Sequence, residues 1–211
     1  ASKPCIFFIG LAEEIIEKEP NNKLIASQLI KNTPVVVNGR LGKNGDVDAF
    51  TIRVNRGEWI VAQCFSYSLD SPVDSFMHLH NEEGVKLAFA PDTQNIDPLL
   101  AYQAKETGDY TLTLAGLIFP FNATARFHGS EHTVYRLTIS TGSFARNTYP
   151  LGVQRGSKTP VHMVGWGFGA KSMVRAALVN INDHSPIAWL GGKDLSAPVP
   201  VLVGELPGYS E

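Results

Sequence analysis

Asp48-Ala49-Phe50-Thr51-Ile52-Arg53-Val54-Asn55-Arg56-Gly57-Glu58-Trp59-Ile60-Val61-Ala62-Gln63-Cys64-Phe65-Ser66 reads as a strand, a turn and a second strand. Two runs rich in β-branched and aromatic residues flank Asn55-Arg56-Gly57, where glycine takes a positive φ without steric penalty. The same pattern recurs on both sides. Further strands are predicted over Ser75–Leu79, Lys86–Ala90, Leu99–Ala104, Asp109–Ala115 and Thr133–Ile139, with turns at Asn81-Glu82-Glu83-Gly84 and Thr107-Gly108-Asp109. Segments with helical period are nearly absent. Leu11–Glu19 is the exception and reads as a short helix or an extended linker, because Pro20 ends it and biases Glu19 toward extended geometry. The fold expected from Val35 onward is all-β, an antiparallel β-sandwich with a jelly-roll-like succession of short strands.

After Thr141-Gly142 the texture changes. Short strands near Pro160–Val164, Met173–Asn180, Pro186–Leu190 and Val199–Val203 are separated by much glycine and proline, the pattern of a second, smaller Ig-like β-sandwich. Three segments follow: 1–16, an N-terminal strand and linker; 17–141, the main sandwich; and 142–211, the Ig-like domain. Pro4-Cys5-Ile6-Phe7-Phe8-Ile9-Gly10-Leu11 is echoed by Pro200-Val201-Leu202-Val203-Gly204-Glu205-Leu206. If the two are equivalent strands of a tandem array, residues 1–16 hold the end of a preceding Ig-like repeat. Cys5–Ile9 would then be an apolar strand lacking its parent sheet, prone to pair with the second domain or a neighbouring molecule.

Composition narrows the function classes. The 211 residues are 44% hydrophobic and 18% charged, enough apolar material for a core and too little charge for disorder. A formal charge of −2 with scattered lysines and arginines lacks the basic patch that nucleic acid requires. No apolar run approaches the ~20 residues of a membrane-spanning helix. Cys5 and Cys64 lack metal-type spacing and read as buried thiols, or alternatively as a pair. The chain opens at Ala1 without a charged-then-apolar leader, so a signal peptide, where there is one, is expected outside it.

Glu17-Lys18-Glu19-Pro20-Asn21-Asn22, Gly39-Arg40-Leu41 and Gly45-Asp46-Val47-Asp48-Ala49-Phe50 together resemble the opening of bacterial pre-peptidase C-terminal domains, with their E-x-E-P-N-[ND], G-x-[IL] and G-D-x-D-x-F motifs. Asp74-Ser75-Phe76-Met77-His78-Leu79, the hairpin Asn81 to Gly84, Thr107-Gly108-Asp109-Tyr110 and Tyr135-Arg136-Leu137 match the family's later strands in the correct order, over about residues 17–140. The sequence departs from the pattern at Asn22, where collagen-binding relatives have Asp, and at Ala90-Pro91-Asp92-Thr93-Gln94, where the family often has paired aspartates. Leu117–Gly129 looks like an insertion. The alternation with an Ig-like domain is similar to large exported proteins of planctomycete-type bacteria.

Calcium needs six to eight oxygens, and two acidic segments here supply them. Glu17, Glu19 and Asn21 alternate at i, i+2, i+4, which on an extended segment points them one way, and Asp46 and Asp48 do likewise. The resemblance implies that Glu17, Glu19, Asn21, Asn22, Asp46 and Asp48 are the ligand set for Ca2+. The other reading of the same residues is that the acids are solvated linker charges and the two aspartates cap a turn. His78 and His80 share a strand face and, with His128 or His132, offer a metal site, although such pairs commonly decorate a solvated sheet. Gly165 to Ser172 superficially echoes a phosphate loop, but Ala170 replaces a required glycine and strand follows rather than helix; a glycine-rich hairpin with Trp166 and Phe168 packed inward fits better. Tyr67, Phe119, Phe121, Phe127 and Tyr149 are candidates for polymer contact, or else for core filling.

No nucleophile elbow, zincin helix or Cys–His context is present, so a non-catalytic role is expected. The leading expectation is an accessory module of an exported protein that binds a protein or polysaccharide polymer or spaces neighbouring domains. The alternatives are a domain that assists folding or secretion of an attached hydrolase, and a metal-dependent enzyme built on the histidines.

Overall fold

Alternation along Asp48–Val54 sets the architecture. Asp48, Phe50, Ile52 and Val54 are buried on one side, whereas Thr51 and Arg53 face outward. Similar inward rows come from the facing strands, so a single apolar layer is shared by two sheets. The computed structural model describes residues 8, 10–118, 127–168, 173–179, 185–191 and 195–206. The chain divides into two compact units, residues 1–141 and 142–211.

In the first unit the strands are β1 (Glu13–Ile16), β2 (Gln28–Ile30), β3 (Val35–Arg40), β4 (Asp48–Val54), β5 (Trp59–Phe65), β6 (Val73–His80), β7 (Lys86–Ala90), β8 (Asp92–Gln94), β9 (Asp97–Gln103), β10 (Gly108–Ile118) and β11 (Val134–Ser140). They form a six-stranded sheet, order β1-β3-β11-β5-β9-β8, facing a five-stranded sheet, order β2-β4-β10-β6-β7. Val37, Ile60, Leu137 and Ile139 from one sheet meet Phe50, Ile52, Met77, Leu112 and Leu114 from the other, all essentially inaccessible to solvent. The architecture is an all-β sandwich.

Two features depart from the sequence reading. Leu11–Glu19 is neither helix nor linker throughout: Glu13–Ile16 pairs parallel with β3, Glu13 opposite Val35 and Ile16 opposite Asn38. Tertiary contacts decide this. Ile15 packs against the core, and the nearly buried Arg136 guanidinium grips both carboxylate oxygens of Glu14 at 2.8 Å. β2 also pairs parallel, with β4, so both edges contributed by the N-terminal segment break the antiparallel rule. Leu117 and Ile118 extend β10, and Phe127 to Gly129 is tied back by backbone bonds from His128 N to Gly116 O and from Gly45 N to Phe127 O; residues 119–126, with Phe119 and Phe121, lie outside the described residues.

Cys64 is a free, fully buried thiol, pushed up to about 12 by burial. Cys5 lies outside the described residues.

The second unit comprises β12 (Phe144–Tyr149), β13 (Gly152–Gln154), β14 (Thr159–Trp166), β15 (Met173–Val179), β16 (Ile187–Leu190) and β17 (Val199–Gly204). These make two three-stranded sheets, β12-β14-β15 and β13-β17-β16. Small cores form around Val153, Val161, Val201 and Val203, and around Ala145, Met163 and Val199, where Phe168 packs. Gly165 and Gly167 of the phosphate-loop look-alike serve backbone packing, since a Cβ at either would strike the chain at Gly142 to Phe144.

Asp97 holds the link between β5 and β6. Its Oδ1 accepts from Ser66 N (3.0 Å), Ser66 Oγ (2.8 Å) and Tyr67 N (2.9 Å), and its Oδ2 from Ser68 N (3.1 Å) and the Ser68 hydroxyl. Removing a buried carboxylate with this many donors leaves them without a partner. Asp97→Ala is expected to lower stability by about 2–4 kcal/mol, read as a shift of the urea midpoint at unchanged slope.

Candidate metal centre

β4 begins inside the protein. Because alternation puts Asp48 on the same inward side as Phe50, a carboxylate sits at the rim of the core, and Asp48 is 0% exposed. Asp46 precedes it by two residues and is likewise buried. The acidic segment after β1 is laid alongside: Glu17 N bonds Asn38 O (3.1 Å) and Ala49 N bonds Asn21 O (3.2 Å). The two stretches read separately in the sequence therefore meet.

Carboxylate oxygens of Glu19, Asp46 and Asp48 all lie within 4.8 Å of one another. Asp46 is held by Gly42 N to Oδ2 (2.6 Å) and by Asn22 Nδ2 to Oδ1 (2.5 Å). Glu19 Oε2 accepts from Asn21 N at 2.9 Å. Asp48 Oδ2 accepts from the Tyr135 hydroxyl at 2.6 Å, while its Oδ1 and both polar atoms of the Asn21 amide are buried without a hydrogen-bond partner. Asn21 is 0% exposed. Buried polar groups are almost always satisfied, so three such atoms beside a carboxylate cluster are the feature to explain. An oxygen-seeking cation would satisfy the two oxygens, and carboxylates with an amide are the hard-oxygen donors that calcium takes.

The six residues fall into distinct positions. Glu19, Asp46 and Asp48 form the cluster, Asn21 is buried with its backbone carbonyl bonded to Ala49 N next to Asp48, and Asn22 orients Asp46. Glu17 accepts from Arg40 N (2.7 Å), and its Oε2 lies 2.9 Å from the same Tyr135 hydroxyl, whose single proton is shared between it and Asp48. Of the alternative reading, the turn cap describes Asp46, whose side chain closes the loop at Gly42. Solvated linker charge describes Glu19, which is exposed, while both aspartates are buried.

Tyr135 and Gly39 are the contributors that sequence reasoning missed. They are directly opposed across β11 and β3. A Cβ on Gly39 would overlap the Tyr135 ring and crowd Glu17, so only glycine lets the phenol lie across the strand and reach both carboxyls. The signal was the G-x-[IL] and Y-x-L pair itself, which spacing alone could not connect.

The electrostatics follow from burial. Desolvation, with repulsion from Glu17 and Asp46 adding to it against the Tyr135 hydrogen bond, pushes Asp48 up to about 8. Glu17 is raised, chiefly by burial, and the Tyr135 hydroxyl is held well above its ordinary value by burial and the two carboxyls it faces.

The histidines do not build a second centre. Among the described residues, Glu19, Asp46 and Asp48 are the one group of three with ligand spacing. His78 and His80 share a face as expected, with ring centroids 6.1 Å apart, but the Lys86 ammonium lies 3.5 Å from His78 Nε2 and opposes a cation there.

No family model and no curated protein matches the sequence. Among solved structures, the chain is similar to the pre-peptidase C-terminal domain of a Bacillus anthracis collagenase, at 15% identity over 59% of this chain and 98% of that one, with a TM-score of 0.38. It is also similar to PliG, a periplasmic inhibitor of g-type lysozyme, from Aeromonas hydrophila (8% identity, 60% and 97% covered, TM-score 0.36) and from Salmonella Typhimurium (11%, 62% and 98%, 0.30).

A carboxyl raised to about 8 binds more proton folded than unfolded between its ordinary value and pH 8. In chelator, stability is therefore expected to fall as pH rises from about 5 to about 8 and to level off above. Thermal melts across that range check this, and Asp48→Asn should flatten the slope. Gly39→Ala, which forces Tyr135 off both carboxyls, is expected to cost about 1–3 kcal/mol in the same melts.

Proposed function

We propose that this chain is a non-catalytic accessory module of an exported modular protein, and that its first unit is a calcium-clamped sandwich of the pre-peptidase C-terminal type followed by a small Ig-like unit. In this reading it adheres to a protein or polysaccharide polymer while joining neighbouring domains. The single observation that carries it is the buried, unpartnered oxygen of Asp48 beside the carboxylates of Asp46 and Glu19.

Glu19, Asp46 and Asp48 supply the charge, and the Asn21 amide oxygen a neutral ligand; water completes the shell at the ~2.3–2.6 Å usual for calcium. Asn22 and Gly42 fix the Asp46 carboxylate, and Tyr135 fixes that of Asp48. Calcium bound here joins the segment after β1 to the start of β4, so the N-terminal segment is fastened to the sandwich. That fits a module set between others, where the segment leading in must be firm for the faces to be presented in register.

At pH 7 a carboxyl raised to about 8 carries its proton, which the cation must displace. Calorimetric titration of the chelator-treated protein with Ca2+, in two buffers of different ionisation heat, is expected to show binding with proton release and an apparent affinity that climbs from pH 6 to 8. The melt should rise with calcium, and Asp48→Asn should abolish both effects. Absence of binding heat together with an unchanged melt would overturn the calcium clamp.

A further inference from the structure

The outer face of the five-stranded sheet carries an aromatic platform. Phe76 and His78 point outward from β6, and pairing of β6 with β7 sets Phe89 directly opposite His78. The His78 and Phe89 rings stack at 4.7 Å and 24°, while Phe76 meets His78, Phe89 and Phe127 edge-on at 5.6, 6.1 and 5.5 Å. Phe89 is 57% exposed and Phe127 41% exposed. Four rings from three separate segments thus share one open surface, which is not what filling a core requires.

What lies beside the rings narrows the partner. Across β10, Thr113 stands opposite His78 and Thr111 opposite His80, and the hydroxyls continue as a chain from Thr111 to Thr51 (2.7 Å) and on to Ser27 (2.6 Å). Charge is paired away or sits at the margin. Arg53 is taken up by Glu82 (3.2 Å) and Asp109 (3.1 Å) toward one end of the face, and Lys86 stands at the β7 edge. Burial, and then the Lys86 charge, disfavour protonation of His78. The surface is therefore π faces next to hydroxyls without a cluster of cations, and Asp74, which alternates onto the same side of β6, is buried. An acidic polymer would need clustered cations, and an added peptide strand would pair with the backbone edge of β7 and leave the rings on the face unused.

We infer that this platform binds an uncharged polysaccharide, sugar rings stacking on Phe89, His78, Phe76 and Phe127 and sugar hydroxyls meeting the threonines. The inference rests on the reading of the chain as a polymer-binding module and names both the surface and the polymer class. Affinity electrophoresis of the full chain through gels holding soluble β-glucan, galactomannan or soluble starch tests it, with alginate and gelatin run alongside at low and high salt. Phe89→Ala and Phe76→Ala, checked by melting for an intact fold, are the variants, with Lys86→Ala as a control on the same edge.

The expected result is retardation by at least one neutral polymer, insensitive to salt, weakened about threefold to tenfold by each phenylalanine substitution and not by Lys86→Ala. Retardation by a neutral polymer that ignores both substitutions overturns the platform and leaves the module reading in place. Binding to gelatin alone, or to alginate with loss at high salt, overturns the polymer class. Retardation by none of the five overturns the platform and the polymer-binding reading together.

Discussion

The hydroxyl of Tyr135 is the point on which the first unit turns. It comes from β11 in one sheet, reaches Asp48 on β4 in the other, and bonds Glu17 just past β1. One group thereby fixes the separation of the two sheets at that corner and the path of the N-terminal segment across it. The geometry demands glycine at position 39 and an inward-facing acid at position 48, so two motifs with no sequence proximity are constrained together. It also explains why so much acid tolerates burial: each carboxyl there has a fixed donor, a retained proton or a neighbour able to share a cation.

Much of this was legible in the chain and some was not. The strands Asp48–Val54 and Lys86–Ala90 were readable to the residue, because short runs bounded by turn residues, Gly45 and Gly57 for one and Gly84 and Pro91 for the other, give a local signal. β1 was not. Its residues, Glu-Glu-Ile-Ile, carry no strand alternation, and their conformation is decided by Arg136 and Val35, more than a hundred and some twenty positions away respectively. The clustering of Glu19 with Asp46 and Asp48 could be anticipated from two acidic stretches, but extended geometry predicted that Glu17 and Glu19 would act alike. In the structure Glu17 turns to Tyr135 and Arg40 and meets Asp48 alone, whereas Glu19 joins both aspartates.

The aromatic surface shows the same boundary between local and long-range information. That His78 and Phe76 share a face follows from their spacing. That Phe89 and Phe127 join them depends on the register of β6 with β7 and on the return of the chain at Phe127 to Gly116, neither of which is written locally. Aromatics picked out singly, such as Tyr67 and Tyr149, are exposed without belonging to this group of rings.

Strand register in the six-stranded sheet bears on where the unit opens. Val35 faces Glu13 on one side and Ile139 on the other. The start of β1 and the end of β11 therefore flank the start of β3 at one end of the sheet, two strand spacings or roughly 10 Å apart. Fraying that starts at that end loosens the first and last strands of the unit together, with Glu13 and Ile139 the first partners of β3 to open.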